Sequence, residues 1–310
     1  MDMGGWWGEG GVSERQSAFA PCAPFAVESR AQGDVFSHTI SVHTQESSNM
    51  APNPSTLNRP IFISVMQYED RLKSGAATVF DVIETAHRLG ADGVELRRET
   101  WPHWQAELSA ARARIEELGL LAAYATHVTL FPSAPDGQQT LLQDIDAAAA
   151  LGSPILRVFQ GPAPDRDDAP AWQAARAAVD HAAAQDIVIA LENYVGMPGG
   201  KLAEIARVLA QIASPALGTN IDIGNYAQHN QDVVDAIQTI GSRAVYAHLK
   251  DKSGVTGEPP IPLGDGILPL RDILHALDQL PQQVLYCFEF RGGDDPEAGI
   301  ERSLAFLRNR

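Results

Sequence analysis

Four side chains able to bind a cation or move a proton recur at equivalent places in the second half of the chain. Glu192 closes the run Val188-Ile189-Ala190-Leu191, and Asp222 closes Asn220-Ile221. His248 follows Val245-Tyr246-Ala247, and Glu289 follows Leu285-Tyr286-Cys287-Phe288. The first run breaks into Gly196, Pro198, Gly199 and Gly200 just beyond the carboxylate and the amide of Asn193. A buried parallel strand delivers a polar group to the mouth of a fold in this way. The spacings of 30, 26 and 41 residues place one such group on each of four successive strands. Three carboxylates within a few ångströms repel one another unless a cation joins them. With one imidazole they suit a single divalent ion, Mn²⁺, Mg²⁺ or Co²⁺, with Zn²⁺ less favoured by so many oxygens. Each residue also has an ordinary alternative. Glu192 would pair with a basic loop residue, Asp222 would cap the turn at Gly224, His248 would be a satisfied strand-end histidine, and Glu289 would pair with Arg291.

The elements that must position these groups follow a regular order. Strands are expected at residues 61–65, 93–96, 121–126, 155–159, 188–192, 220–222, 245–248 and 285–289. Helices are expected between and after them, at about 77–89, 103–118, 141–151, 171–184, 202–212, 233–240, 270–280 and 298–307. The first helix carries Val79, Val82, Ile83 and Ala86 on one face, and Gly119 and Gly152 stop two others. Strands recurring roughly every 30 residues are what helical crossovers between parallel strands require. Eight strand–helix units over residues 59–310 predict a (β/α)8 barrel, whose usual size is about 250 residues. An open doubly wound sheet is the alternative, but no Gly-x-Gly-x-x-Gly follows the first strand. Residues 1–58 are rich in Gly, Ser, Gln and Asn without a sustained period, and are expected to be a disordered extension. Met50 stands there as an alternative start just before the first strand.

Composition narrows the function classes. The chain has 310 residues, a hydrophobic fraction of 45% and a formal net charge of -16. No basic run grips a phosphate backbone, which argues against a nucleic-acid partner. No apolar run approaches a membrane span, and the stretch from Ala18 to Val27 carries Pro21 and Pro24 and lacks a basic start. The two cysteines, Cys22 and Cys287, make a disulfide framework unexpected, so a reducing, cytoplasmic setting is read from them.

The motifs resemble a known family. Leu191-Glu192-Asn193, Asp222-Ile223-Gly224-Asn225, Ala247-His248-Leu249-Lys250-Asp251, Pro262-Leu263-Gly264-Asp265-Gly266 and Phe288-Glu289 are similar to those of the sugar phosphate isomerase/epimerase family, part of the xylose isomerase-like barrel superfamily. Ala91-Asp92-Gly93-Val94-Glu95-Leu96 resembles its second strand. The resemblance spans about residues 60–308. It implies that Glu192, Asp222, His248 and Glu289 bind one divalent metal, and that Glu192 and Glu289 also move a substrate proton. The implied reaction is isomerisation or epimerisation of a sugar-like polyhydroxy carbonyl compound through an enediolate.

The match departs from ketohexose 3-epimerases at two positions. They carry a histidine where this chain has Asn225 and an arginine where it has Gly254. Lys250 and Asp251 resemble the inositol-pathway dehydratase branch, so elimination of water is the first rival chemistry. An apurinic endonuclease and a non-catalytic sugar-binding barrel are the others. Lys250 is a candidate acid or charge stabiliser, with a salt bridge to Asp251 as its alternative. His127, Glu95, Arg97, Asn225 and Arg291 are candidates for substrate contact. Arg97 or Arg98 would hold a carboxylate or phosphate, or simply pair with Glu99. The expected partner is a small sugar-like molecule, with no nucleic acid and no membrane; a homo-oligomer is an open alternative.

Overall fold

In a computed structural model, residues 59–194, 196–228, 230–255 and 257–310 are described. The expected disordered extension, with Cys22 and Met50, lies outside the described residues. From the first strand the order is β1 (Ile61–Ser64), α1 (Glu69–Ser74), α2 (Val79–Arg88), β2 (Gly93–Arg97), α3 (Trp104–Glu117), β3 (Leu121–Thr129), α4 (Gly137–Leu151), β4 (Ile155–Phe159) and α5 (Ala169–Ala183). It continues with β5 (Val188–Glu192), α6 (Leu202–Gln211), β6 (Leu217–Asp222), α7 (Ile223–Gln228), α8 (Val233–Ile240), β7 (Ala244–Leu249), α9 (Leu270–Asp278), β8 (Leu285–Phe288) and α10 (Pro296–Arg308). The strands form a closed parallel barrel in sequence order, with β8 returning to β1.

Local chemistry sets the helix ends. Thr78 and Asp81 cap α2 reciprocally, each side chain bonding the other's backbone N–H. Asp168 and Asp295 cap α5 and α10, each with a proline in the first turn. Gly152 ends α4 in the left-handed region at φ 80°. The short helices α1 and α7 were not expected; six residues each are too few for a readable period.

The strands alternate between two packing environments. Outward residues such as Ile63, Val94, Tyr124, Val158 and Leu191 pack under the helices in the main core. Inward residues Phe62, Ala123, Ile155, Ala190, Tyr246 and Cys287 form a separate apolar cluster inside the barrel. Two positions further along the same strands, the inward phase carries Ser64, Ala125, Arg157, Glu192, His248 and Glu289. The barrel therefore has an apolar floor and a polar upper interior at the C-terminal strand ends. No helix among the described residues is long and apolar enough to cross a membrane.

Candidate active site

The strand-end residues predicted from spacing meet. Glu192, Asp222, His248 and Glu289 each place one ligand-type atom within 4.8 Å of the others, and all four are buried. Strand pairing sets this up: Asp222 stands beside His248 across β6 and β7, and the neighbouring strands bring Glu192 and Glu289 to either side. The amide of Asn193 replaces a ladder rung, donating to the Asp222 carbonyl at 2.9 Å and accepting from the Asp222 N–H at 2.8 Å. Asp222 Oδ1 accepts from the Asn225 N–H at 2.9 Å, which fixes the entry into α7.

Cations surround the carboxylates. Lys250 Nζ is 2.6 Å from Asp222 Oδ2 and also pairs with Glu289, not with Asp251. Gly224 makes room for its stem, because a Cβ there would stand 2.7 Å from Lys250 Cγ. Arg97 pairs with Glu289 and Glu95. Glu192 pairs with Arg157 at 2.9 Å and accepts from Asn225 Nδ2 at 3.1 Å. His248 sits with Nδ1 3.4–3.7 Å from Glu289, Glu192 and Asp222, and with Nε2 2.8 Å from Glu95.

These contacts set the protonation preferences. Burial alone would lower the His248 pKa, but the carboxylates of Glu289, Glu95 and Glu192 outweigh it and hold it well above its ordinary value. Burial likewise works against a charged Glu289, yet His248, Lys250 and Arg97 hold its carboxyl well below the usual range. Glu192 goes the other way: burial raises it, and the Arg157 guanidinium only partly offsets that.

Above the cluster lies a cavity of about 600 Å³, lined by His127, Arg157, Phe159, Tyr194, Lys250 and Arg291 among others. His127 and Tyr194 flank Phe159, with ring centroids 5.6 and 5.2 Å away, and the Arg157 guanidinium lies 5.0 Å over the Phe159 ring. The loop after β7 closes one side with Glu258, Pro259 and Pro260. Asp251 holds that loop, its carboxylate accepting from the N–H groups of Lys252, Gly264, Gly266 and Leu268 at 2.8–3.2 Å.

The other candidates sort by position. His127, Arg97, Asn225 and Arg291 line the cavity, although Arg97 is spent on carboxylates and Arg291 pairs with Glu69 rather than Glu289. Arg98 bonds Asp144 at 3.1 Å and lies 3.6 Å from Glu99. Glu95 was expected to touch substrate; it is fully buried beneath His248 and does not line the cavity. Arg157 was overlooked, although a charged residue inside Ile155-Leu156-Arg157-Val158-Phe159 carries the same signal as Glu192.

The fold and cluster define a (β/α)8 barrel with a metal-ligand-type set at its C-terminal mouth. The chain belongs to the xylose isomerase-like TIM barrel family, whose profile matches residues 83–310. No curated protein sequence matches the chain. Solved structures with the same fold include the probable 3-DHS dehydratase AsbF of petrobactin synthesis from Bacillus anthracis, at 15% identity and TM-score 0.66, covering 81% of this chain and 99% of that one. D-allulose 3-epimerase from Methylomonas sp. matches at 18% identity and TM-score 0.66, covering 81% and 98%. D-psicose 3-epimerase from Clostridium cellulolyticum H10 matches at 16% and 0.65, again covering 81% and 98%. At these identities the likeness is one of fold.

Proposed function

We propose that the barrel is a divalent-metal-dependent isomerase or epimerase of a sugar or related polyhydroxy carbonyl compound. One observation carries the metal: ligand-type atoms of Glu192, Asp222, His248 and Glu289 converge within 4.8 Å of one another in a buried site, with His248 Nδ1 3.4–3.7 Å from the three carboxylates. Three carboxylates converging on one imidazole in a buried site favour a cation among them, even with Arg157 and Lys250 alongside. Glu192, Asp222, His248 and Glu289 would hold the ion, and the three carboxylates favour Mn²⁺, Mg²⁺ or Co²⁺. When bound, the ion supplies Lewis-acid polarisation of the substrate carbonyl.

The chain's own residues do the rest. Glu192 and Glu289 approach the cavity from opposite sides of the cluster. One carboxylate takes the hydrogen from the carbon beside the carbonyl, and a carboxylic acid on the other side returns one. Asn225 orients Glu192, and the ammonium of Lys250 stands ready to balance charge on a substrate oxygen. The names of the two epimerases of like fold support this reading. A second reading is dehydration, favoured by the buried Lys250 between Asp222 and Glu289, where it would protonate a departing hydroxyl.

The test is turnover of a panel of ketoses and cyclic polyhydroxy ketones in D₂O by metal-stripped and Mn²⁺-loaded protein. The epimerase reading expects metal-dependent turnover with deuterium at the carbon beside the carbonyl. Metal-dependent growth of enone absorbance would replace it with the dehydratase. Undiminished turnover after stripping, or cleavage of abasic DNA without sugar turnover, would defeat both.

A further inference from the structure

We propose that Glu95 is a positioning residue that fixes which nitrogen of His248 is offered to the metal. This rests on the metal-binding reading of the cluster and extends it one layer down. Glu95 and His248 are both fully buried. Glu95 Oε1 accepts from Ser64 Oγ at 2.7 Å and from Arg97 Nε at 3.0 Å, which leaves Oε2 to face His248 Nε2 at 2.8 Å. An ionised carboxylate can only accept, so Nε2 donates and carries the ring's N–H. In the neutral ring the lone pair then belongs to Nδ1. That atom has no hydrogen-bond partner and points into the three carboxylates. A ring nitrogen aimed at three carboxylates holds either a proton or a cation shared by all of them, and its place at Nδ1 lets the cation displace the proton. The edge of Tyr246, 5.1 Å away at 68°, packs against the ring and resists its flipping. The arrangement is a carboxylate–histidine–metal relay, in which the outer carboxylate sets tautomer and orientation.

This assignment makes an unusual demand on the near-isosteric variant. In Glu95→Gln, Arg97 can only donate, so it and Ser64 claim the amide oxygen. The amide NH₂ is then turned toward Nε2, which must accept. The ring proton moves to Nδ1, and the atom facing the metal can no longer bind it. In Glu95→Ala, water can serve either tautomer. A merely structural glutamate would give the reverse order, with the isosteric variant the milder one.

The experiment is Mn²⁺ titration calorimetry on the full chain for wild type, Glu95→Gln and Glu95→Ala, with circular dichroism to confirm folding. Nitrogen-15 NMR of the His248 ring is recorded with Mg²⁺, which is diamagnetic. Glu95→Gln should bind on the order of 10–100-fold more weakly than wild type, and no better than Glu95→Ala, as expected for loss of an outer partner of a ligand. Both variants lose the same charge, so electrostatics alone cannot produce that order. The NMR should show Nε2–H in wild type and Nδ1–H in Glu95→Gln. A folded Glu95→Gln that binds Mn²⁺ like wild type, or clearly better than Glu95→Ala, overturns the inference while leaving the metal site standing. If Glu95→Ala does not fold, the His248 tautomer in Glu95→Gln decides alone. Wild-type protein that binds no divalent ion would sink the metal reading itself.

Discussion

Replacing Arg157 by methionine tests whether the buried carboxylate of Glu192, proposed above to move a proton, depends on a partner that strand β4 supplies from inside the barrel. The pair is almost sealed, with side chains 1% and 4% exposed and Nε 2.9 Å from Oε2. Removing one partner of a buried ion pair costs about 3–5 kcal/mol, because the other charge stays buried. The lost bond from Nη1 to the Thr126 carbonyl, 2.9 Å long, adds about 1 kcal/mol. Methionine refills part of the volume over Phe159, so Arg157→Met should cost about 4 kcal/mol, toward the middle of that range. Glu192→Gln leaves an arginine facing an amide that still accepts a hydrogen bond, and should cost about 2 kcal/mol. In Arg157→Met/Glu192→Gln neither charge remains, and the cost should fall to about 3 kcal/mol, which leaves a coupling of about 3 kcal/mol. Urea unfolding of metal-free protein at neutral pH measures this cycle without stabilisation from metal binding. Two single-variant costs that add to within about 0.5 kcal/mol would refute the coupling, and with it the idea that Arg157 holds Glu192.

Asp251→Ala should loosen the loop after β7 rather than unfold the barrel. Four N–H groups lose one acceptor, and at about 1 kcal/mol or more each the amides of Gly264, Gly266 and Leu268 should exchange at least a hundredfold faster while β2–β5 amides are unaffected. The Asp144 carboxyl is pushed up to about 6, chiefly by burial and against the pull of Arg98. A raised carboxyl favours the folded state below its unfolded pKa, and that contribution is lost as pH rises through about 6. Asp144→Asn keeps partners for Arg98 and Thr126. It should therefore be more stable than wild type by on the order of 1–2 kcal/mol at pH 8, with no advantage at pH 4. Equal pH profiles in thermal melts would show that Asp144 is not the buried charge it looks to be.

Much of this was legible in the sequence because the barrel repeats one physical solution. An apolar strand, a polar inward residue at its C-terminal end, a turn and an amphipathic helix recur, and Glu192, Asp222, His248 and Glu289 each stand at that inward position. Side-chain partners were less legible. Spacing along the chain says nothing of which cation reaches which anion across the barrel. Glu289 was offered Arg291 and meets Arg97 and Lys250 instead; Lys250 was offered Asp251 and turns inward to Asp222. Asp251 spends its carboxylate on loop amides, a use invisible without the loop's path. Glu95 looked like a mouth residue, but it lies two positions short of Arg97 on the same inward face, one layer lower.

The internal cations also revise the electrostatics read from residue types alone. Three carboxylates in a cluster imply strong mutual repulsion without a metal. The structure sets Arg97, Arg157 and Lys250 against Glu95, Glu192, Asp222 and Glu289, so the cluster balances with the raised His248 charged and keeps a single negative charge when that ring is neutral. Metal binding should then stabilise the fold by mass action on the folded state rather than by rescuing a repulsive core. Lys250 is where the difference can be measured. Its ammonium bridges Asp222 and Glu289, so Lys250→Met in metal-stripped protein leaves two buried carboxylates facing each other, at a cost of about 3–5 kcal/mol. In Mn²⁺-loaded protein the ion takes over part of that neutralisation, and the same substitution should cost about 2 kcal/mol less. Urea denaturation of both proteins with chelator and with saturating Mn²⁺ reads the difference directly. An identical cost in the two conditions would mean that Lys250 and the ion do not share these carboxylates, and the metal would have to be sought elsewhere in the barrel.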